Sequence, residues 1–294
     1  GRRLMDWITQ SIVIGLTEQA PLVLAAIGFA LIYRLTGLIN VAYAETVTLG
    51  AYFGMWVNTT FHLDFFVTLI PTAILAGALS VATYLLIFRP AKRRNVGTLE
   101  MIIISFGLSV FLRHALQFVF GYPLRFFDVP PPDAIDVLGV GVNTFRLVAL
   151  VSVLALAAVL YLFIQRTKYG LQARALATDE ELAQASGIRP LTVTSIIWFV
   201  AGIAGGLAGA FYGVASAVGP QLGWREFLFI LLVVLVGGTW GLGGVIGVGI
   251  AAGIALTAMA LAFGQVLYAE AALIIIFMVL LKWRGKRLLE GAKV

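Results

Sequence analysis

Long uncharged apolar runs alternate along the chain with short polar stretches. About 20 apolar residues are needed for a helix to cross the hydrocarbon core of a bilayer. Runs of about this length or longer cover residues 8–33, 38–58, 64–88, 98–120, 145–165, 191–214, 225–263 and 266–282. The runs are continuous and lack the alternation of barrel strands, so the pattern predicts an all-α fold, a polytopic bundle of transmembrane helices.

The seventh run, 225–263, is too long for a single crossing. Its middle is rich in glycine from Gly237 to Gly244, which predicts a break between one helix near 225–238 and another near 244–263. The bundle should therefore have eight or nine crossings, some of them broken helices. We interpret residues 1–4 as a non-native remnant ahead of Met5, and residues 5–294 as one transmembrane domain.

Basic residues cluster beside three of the apolar runs. The clusters are Arg89, Lys92, Arg93 and Arg94; Arg166, Lys168 and Arg174; and Lys282, Arg284, Lys286 and Arg287. Because loops on the cytosolic side are enriched in Lys and Arg, all three clusters should face the cytosol. Nine crossings satisfy this condition, with the N-terminus outside and the C-terminus in the cytosol.

The segment 121–144 has a different composition from the basic loops. It contains three consecutive prolines, Pro130 to Pro132, and the acids Asp128, Asp133 and Asp136. Proline resists helix formation, and the segment lacks a basic excess. It is therefore predicted to be an external loop.

Composition supports a membrane protein and excludes several other classes. Hydrophobic residues make up 61% of the 294 residues, charged residues only 12%, and the mean hydropathy is +1.01. The net charge of +6 comes mainly from clusters beside apolar runs, so it does not indicate nucleic-acid binding. The chain has no cysteine, which excludes disulfides, thiolate metal sites and cysteine catalysis. His62 and His114 are too far apart in sequence to suggest a metal site.

The predicted cytosolic segment 166–190 should contain a short helix over residues 175–187. Residues typical of helix ends frame it: Thr178 or Asp179 as the N-cap, Glu180 and Glu181 in the first turn, Gly187 at the end, and Pro190 at the start of the next span. An exposed helix held between two membrane helices can dock on a partner and transmit movement. The same pattern also fits an ordinary amphipathic loop.

Two interrupted apolar segments and several ionisable residues are candidates for a transport path. The interruptions lie at residues 36–50 and 237–249, and paired interruptions of this kind often mark a transport site. Glu100 and Glu226 start their spans and should be hydrated, while Arg113 and His114 should reach the outer interface. Glu45 and Glu270 remain as candidates for helix pairing or for contact with a transported solute.

Catalytic motifs are absent from the sequence. There is no G-x-x-x-x-G-K-[ST] phosphate loop, and no G-x-S-x-G elbow surrounds Ser105. The chain is therefore predicted not to be an enzyme.

Three stretches resemble the permease subunits of ABC importers for branched-chain amino acids, specifically the shorter of the two paired permeases. The first runs from Leu31 to Tyr52, the second from Tyr169 to Ile188, and the third from Gly205 to Gly247. The family usually has Asn-Phe-Ala-His-Gly-Glu in the first stretch, where this chain has Asn40-Val41-Ala42-Tyr43-Ala44-Glu45. The tail also differs, with Lys282-Trp283-Arg284-Gly285 in place of Arg-Pro-x-Gly.

The resemblance implies a bacterial inner-membrane complex of two permease subunits, two cytosolic ATPases and an external solute-binding protein. ATP and Mg²⁺ would be bound by the partners, and this chain would bind no cofactor. The implied ATPase-coupling residues are Arg174, Asp179, Glu180, Glu181, Ala185 and Gly187. Candidates for the translocation path are Asn40, Tyr43, Glu45, Thr46, Gly237, Gly238, Thr239 and Glu270.

The expected function is passage of a small polar or amphipathic solute, namely an amino acid or a related amide, urea or organic acid. One alternative is an ion-coupled secondary transporter that works without an ATPase and uses Glu45 or Glu270 as its ion site. Another is a structural membrane subunit that has no pathway. Co-purification of an ATPase would favour the importer, whereas uptake by the chain alone would favour the secondary transporter.

Overall fold

A computed structural model describes residues 2–129, 133–137, 140–238 and 241–291 of the chain. The helices are α1 (Arg2–Thr36), α2 (Tyr43–Phe61), α3 (Phe65–Thr83), α4 (Arg89–Arg93), α5 (Thr98–Phe120), α6 (Thr144–Arg166), α7 (Lys168–Thr178), α8 (Glu180–Ala185), α9 (Pro190–Ala215), α10 (Leu222–Gly237), α11 (Gly241–Phe263) and α12 (Val266–Gly291). A π-helical turn, Tyr84–Phe88, joins α3 to α4. The predicted polytopic helical bundle is confirmed.

Seven helices in the described part of the chain are long and apolar enough to cross a membrane. They are Trp7–Thr36, Phe65–Arg93, Thr98–Phe120, Arg146–Arg166, Pro190–Ala215, Gly241–Phe263 and Val266–Trp283. The predicted count of eight or nine crossings is therefore too high. Neither α2 nor α10 is among the seven. The 19-residue α2 is made less apolar by Glu45, Asn58 and its threonines, and α10 has only 16 residues, or about 24 Å of helix. The predicted break in 225–263 is confirmed, since α10 ends at Gly237 and α11 begins at Gly241.

The core lies where α9 packs against α2 and α3, and where α1 packs against α9 and α11. Small residues allow this close approach. A methyl group added at Gly206 would collide with Ala76 of α3, and one added at Gly209 would collide with the Val47 carbonyl of α2. The glycines of α9 therefore serve helix packing, as small residues do in membrane bundles.

Two helices begin inside the bundle rather than at its surface. Residues 37–42 are not helical, and α2 starts only after them. At the start of α10, the Gly223 N–H donates to Thr48 Oγ1 at 3.0 Å. Thr48 lies about 20 Å along α2 from the end of that helix at Phe61. The first turn of α10 is therefore at membrane depth.

The predicted external loop, 121–144, contains a small antiparallel hairpin that the sequence did not reveal. Strand β1 (Ala134–Val137) pairs with β2 (Val140–Asn143). Asn58 at the end of α2 holds the start of the loop, since its side chain donates to the Asp128 carbonyl and accepts from the Asp128 N–H. The loop therefore lies at the α2–α3 end of the bundle. Pro130 to Pro132 fall outside the described residues.

The first two basic clusters lie at the same end of the bundle, as the charge pattern predicted. Lys92 Nζ lies 2.7 Å from Glu180 Oε2 of α8. This end also holds the end of α1 and the start of α11, since Arg34 and Gly241 line one cavity together with Arg174.

Candidate functional site

The segment between α6 and α9 consists of two short helices. The predicted single helix over 175–187 is wrong in its boundaries: α7 runs to Thr178, and α8 begins at Glu180. Asp179 separates them with extended backbone, φ −153° and ψ 107°. Its Oδ1 accepts from the Leu182 N–H at 2.9 Å, so Asp179 is the N-cap of α8. Thr178 instead bonds back to Arg174 O.

Several contacts fix these two helices to the membrane bundle. Arg174 Nη1 donates to the Ile164 carbonyl at 2.6 Å, which satisfies a free carbonyl near the end of α6. Gly170 packs so closely on Ile164 that no side chain would fit there. Ala183 is buried, and Glu180 pairs with Lys92. Arg174 and Glu180, both predicted to contact an ATPase, therefore hold the segment in place.

The outer side of α8 is left without a partner in the described structure. Glu181, Leu182, Ala185, Ser186 and Gly187 are exposed, and Leu182 is 64% exposed although it is apolar. Gly187 ends the segment at φ +84°, a conformation that favours glycine. We call these five residues the α8 surface. An apolar side chain flanked by an acid on a fixed helix is suited to docking in a groove of another protein.

The first predicted interruption is present and packs against α5. The Val41 N–H donates to Ser105 Oγ at 3.1 Å, and the Ser105 hydroxyl also lies 3.5 Å from Ile39 O. Asn40 is 3% exposed, and its Oδ1 has no hydrogen-bond partner in the described part of the chain. Non-helical backbone at membrane depth is tolerated where protein buries it in this way.

Glu45 forms a buried ion pair with Arg113. Glu45 Oε1 accepts from Arg113 Nη2 at 2.7 Å and from Ser109 Oγ at 2.9 Å. The Glu45 side chain is fully buried, and that of Arg113 is 15% exposed. Arg113 Cζ also lies 4.5 Å from the centre of the Trp224 ring, within cation–π range. The expectation that Arg113 reaches the outer interface is therefore wrong, because Glu45 and Trp224 hold it inside the bundle.

The remaining path candidates in α2 are buried by neighbouring helices. The Tyr43 hydroxyl donates to Ala25 O at 2.9 Å, and its ring packs on Phe29. Thr46 is 8% exposed. These contacts give Tyr43 a clear packing role between α1 and α2.

The candidates in the second half of the chain do not join the Glu45 site. Gly237 packs on the backbone of Gly244 where α10 meets α11, and Gly238 is the C-cap of α10. Thr239 lies outside the described residues. Glu270 is half-buried in α12, close enough to Glu226 in the first turn of α10 for the two carboxylates to repel each other. The predicted path residues of the second half therefore lie at the α10–α11 junction and on α12, and not around Glu45.

The partners of Glu45 were missed from the sequence. Ser105, Ser109 and Arg113 are spaced four residues apart, so they form a polar stripe on one face of α5. That spacing was the available signal. Among the described residues there is no group of three or more His, Cys, Asp or Glu side chains that could hold a metal ion.

The chain matches a known transport family over most of its length. Residues 11–282 match the family described as the permease component of branched-chain amino acid transport systems. The high-affinity branched-chain amino acid transport system permease protein LivH of Escherichia coli K12 is 27% identical over 263 residues, covering 82% of each chain. BraD of Pseudomonas aeruginosa, with the same description, is 24% identical over 273 residues, covering 87% of each chain.

A relative from an archaeon is also similar. A probable branched-chain amino acid transport permease protein LivH of Methanocaldococcus jannaschii is 26% identical over 225 residues, covering 74% of this chain and 70% of the relative. The family match over residues 11–282 includes both the α2 interruption and the α7–α8 segment. The chain therefore belongs to the permease-component family of branched-chain amino acid transport systems, and it is a multi-pass membrane transport subunit, not an enzyme.

Proposed function

We propose that this chain is a permease subunit of an ATP-driven importer in a bacterial plasma membrane, with the α8 surface and the C-terminus facing the cytosol. A cytosolic ATPase subunit docks on the α8 surface, and an external binding protein delivers the solute. The observation that carries this proposal is the α8 surface itself, because it is exposed while the rest of the α7–α8 segment is fixed to α6 and α4. Force applied there is transmitted to the bundle.

A second permease subunit would cover one particular face of the bundle. In the first turn of α10, Trp224 is 37% exposed and Arg225 is exposed. Trp224 contacts Arg113 of α5, and the Glu226 carboxylate lies near enough to that of Glu270 in α12 to be repelled by it. Ionisable groups at this depth are costly in lipid. The face formed by α5, α10 and α12 therefore suits contact with another protein subunit or with an aqueous path between the two.

The transported solute is proposed to be a small amphipathic molecule, either a branched-chain or other amino acid or a related amide, urea or organic acid. The relatives named above support an amino acid. This chain has Tyr43 and Ala44 where the family usually has histidine and glycine, so the proposal extends beyond branched-chain amino acids.

Substitutions in the α8 surface test the proposal. In the assembled complex in liposomes, Glu181→Lys and Leu182→Asp should each reduce ATP-driven uptake about thirtyfold, because interface hot spots contribute about 2 kcal/mol or more to binding. Glu100→Lys is the matched control, since Glu100 is an exposed acid in the first turn of α5. Its uptake should stay near that of the unaltered protein.

Two results would contradict the proposal. The first is normal uptake and normal ATPase retention in both α8 variants. The second is solute uptake by the purified chain alone, driven by an ion gradient, which would support the secondary transporter. The buried pairing of Glu45 with Arg113 argues against Glu45 as a free ion site.

A further inference from the structure

A cavity of about 430 Å³ lies between α4, α8, the end of α1 and the start of α9. Three cations line it: Arg89, Lys92 and Arg93. Among its described lining residues one is acidic, Glu180, and that acid is already paired with Lys92. Arg89 and Arg93 have no ion-pair partner in the described part of the chain. The cavity therefore carries an excess of positive charge.

Polar groups add to the cation-lined wall. The Tyr84 and Thr194 side chains line the same cavity. Their hydroxyls can donate hydrogen bonds to anionic oxygens. Arginine in turn offers several N–H groups in a geometry that suits phosphate. A phosphate group fits the chemistry of this wall.

A second, apolar cavity of about 150 Å³ adjoins the first and shares Thr36, Tyr84 and Lys92 with it. Met101 and Trp198 line its other side. The Trp198 Nε1–H is itself buried, so this side of the cavity suits hydrocarbon.

Part of the wall of the first cavity is apolar. Leu35, Leu176 and Leu191 line it, and Leu191 is 40% exposed. A ligand here could place its phosphate on the arginines and its acyl chains along this apolar surface. Basic pockets between membrane helices bind anionic lipid headgroups by this combination.

We propose that these joined cavities bind one anionic phospholipid, with its phosphate held by Arg89 and Arg93. The phosphate would lie between α4, which carries both arginines, and Gln184 of α8, which lines the same cavity and can donate a hydrogen bond to it. This proposal rests on the proposed function in one respect: the lipid is placed in the cytosolic leaflet of the membrane because the α8 surface is proposed to face the cytosol. Lipid binding can be measured without transport, so failure of one proposal is distinguishable from failure of the other.

Native mass spectrometry of the purified subunit tests the site after incubation with phosphatidylglycerol or phosphatidylcholine. The unaltered protein should retain phosphatidylglycerol in preference to phosphatidylcholine. The double variant Arg89→Gln/Arg93→Gln should retain it at least about tenfold less well, since each cation near a membrane surface contributes several-fold to anion affinity. Arg94→Gln is the matched control, because Arg94 belongs to the same basic cluster but does not line the cavity. It should retain lipid normally.

A separate measurement guards against misfolding and against a different anion. The unfolding midpoint in phosphatidylcholine alone should be the same for the double variant and the unaltered protein. If the midpoint of the double variant is lower, the single variant Arg93→Gln is used in its place, because Arg93 is at an exposed position. That variant should also retain less phosphatidylglycerol than the unaltered protein. Equal retention of phosphatidylglycerol by the variants and the unaltered protein would overturn the proposal. Equal stabilisation by inorganic phosphate without lipid would overturn the assignment to a phospholipid.

Discussion

The Glu45 carboxylate is the most deeply buried charge with a defined partner in the described structure. It links three helices, since its partner Arg113 lies on α5 and stacks on Trp224 of α10. A buried pair of this kind contributes little compared with an apolar pair, but breaking it is costly because one charge is left alone. The pair therefore holds α2, α5 and α10 in one arrangement.

The pair predicts a non-additive response to mutation. Arg113→Gln should destabilise the protein by about 3–5 kcal/mol, because it leaves the Glu45 charge buried without a cation. The double variant Glu45→Gln/Arg113→Gln should recover much of that loss. Thermal unfolding in detergent measures both changes. His114→Gln is the control, since His114 is exposed and bonds only to Val110 of its own helix.

The double variant decides between a structural pair and independent charges. The single variant Glu45→Gln completes the set. If the double variant lost as much stability as Glu45→Gln and Arg113→Gln lose when added together, Glu45 and Arg113 would not act as a unit. The importance of Glu45 could be predicted from the sequence because an acid at membrane depth needs a reason. Its partner could not, because 68 residues separate the two and local patterns do not fix which helices meet.

The α7–α8 segment shows which helix boundaries can be predicted from the types of residue found there. Asp179, Gly187 and Pro190 occupy the cap, end and next-helix positions that their residue types predict. The start of α7 was missed although a local signal marks it, since Thr167 is the N-cap and its hydroxyl accepts from the Gly170 N–H at 3.3 Å. The interruption at residues 36–50 was predicted, but the span 38–58 was started five residues before α2 begins at Tyr43, since apolar composition continues through residues 38–42.

The N-cap of α8 can be tested directly. Asp179→Ala removes the acceptor for the Leu182 N–H and should cost about 1 kcal/mol of local stability. The amides of α8 should then exchange with solvent roughly fivefold faster, and ATP-driven uptake should fall. Asp179→Asn keeps an acceptor and should behave like the unaltered protein. Hydrogen exchange measured by mass spectrometry gives the rates.

Thr178→Ala is the matched control for this experiment. Thr178 was the other cap candidate, but its hydroxyl bonds to Arg174 within α7. Its removal should leave exchange in α8 unchanged. Faster exchange in Thr178→Ala than in Asp179→Ala would mean that the cap has been assigned to the wrong residue.

The basic, proposed cytosolic surface and the proline-containing hairpin loop lie at opposite ends of the molecule. The α8 surface and two basic clusters lie at one end, and the hairpin loop lies at the α2–α3 end. Charge patterning predicted this arrangement. It could not predict the number of full crossings, because the starts of α2 and α10 inside the bundle depend on packing between distant segments. Only the folded structure shows that α2 and α10 begin inside the bundle, between longer helices.

The central claim is that the α8 surface faces the cytosol, where an ATPase can reach it. The chain has no cysteine, so single-cysteine variants Glu181→Cys and Asp133→Cys can be labelled without further changes. A membrane-impermeant maleimide applied to intact cells should label Asp133→Cys, at an exposed position in the hairpin loop, and should leave Glu181→Cys unlabelled. In inverted membrane vesicles the pattern should reverse. Labelling of Glu181→Cys from outside intact cells would contradict the account, because no cytosolic ATPase could then contact α8.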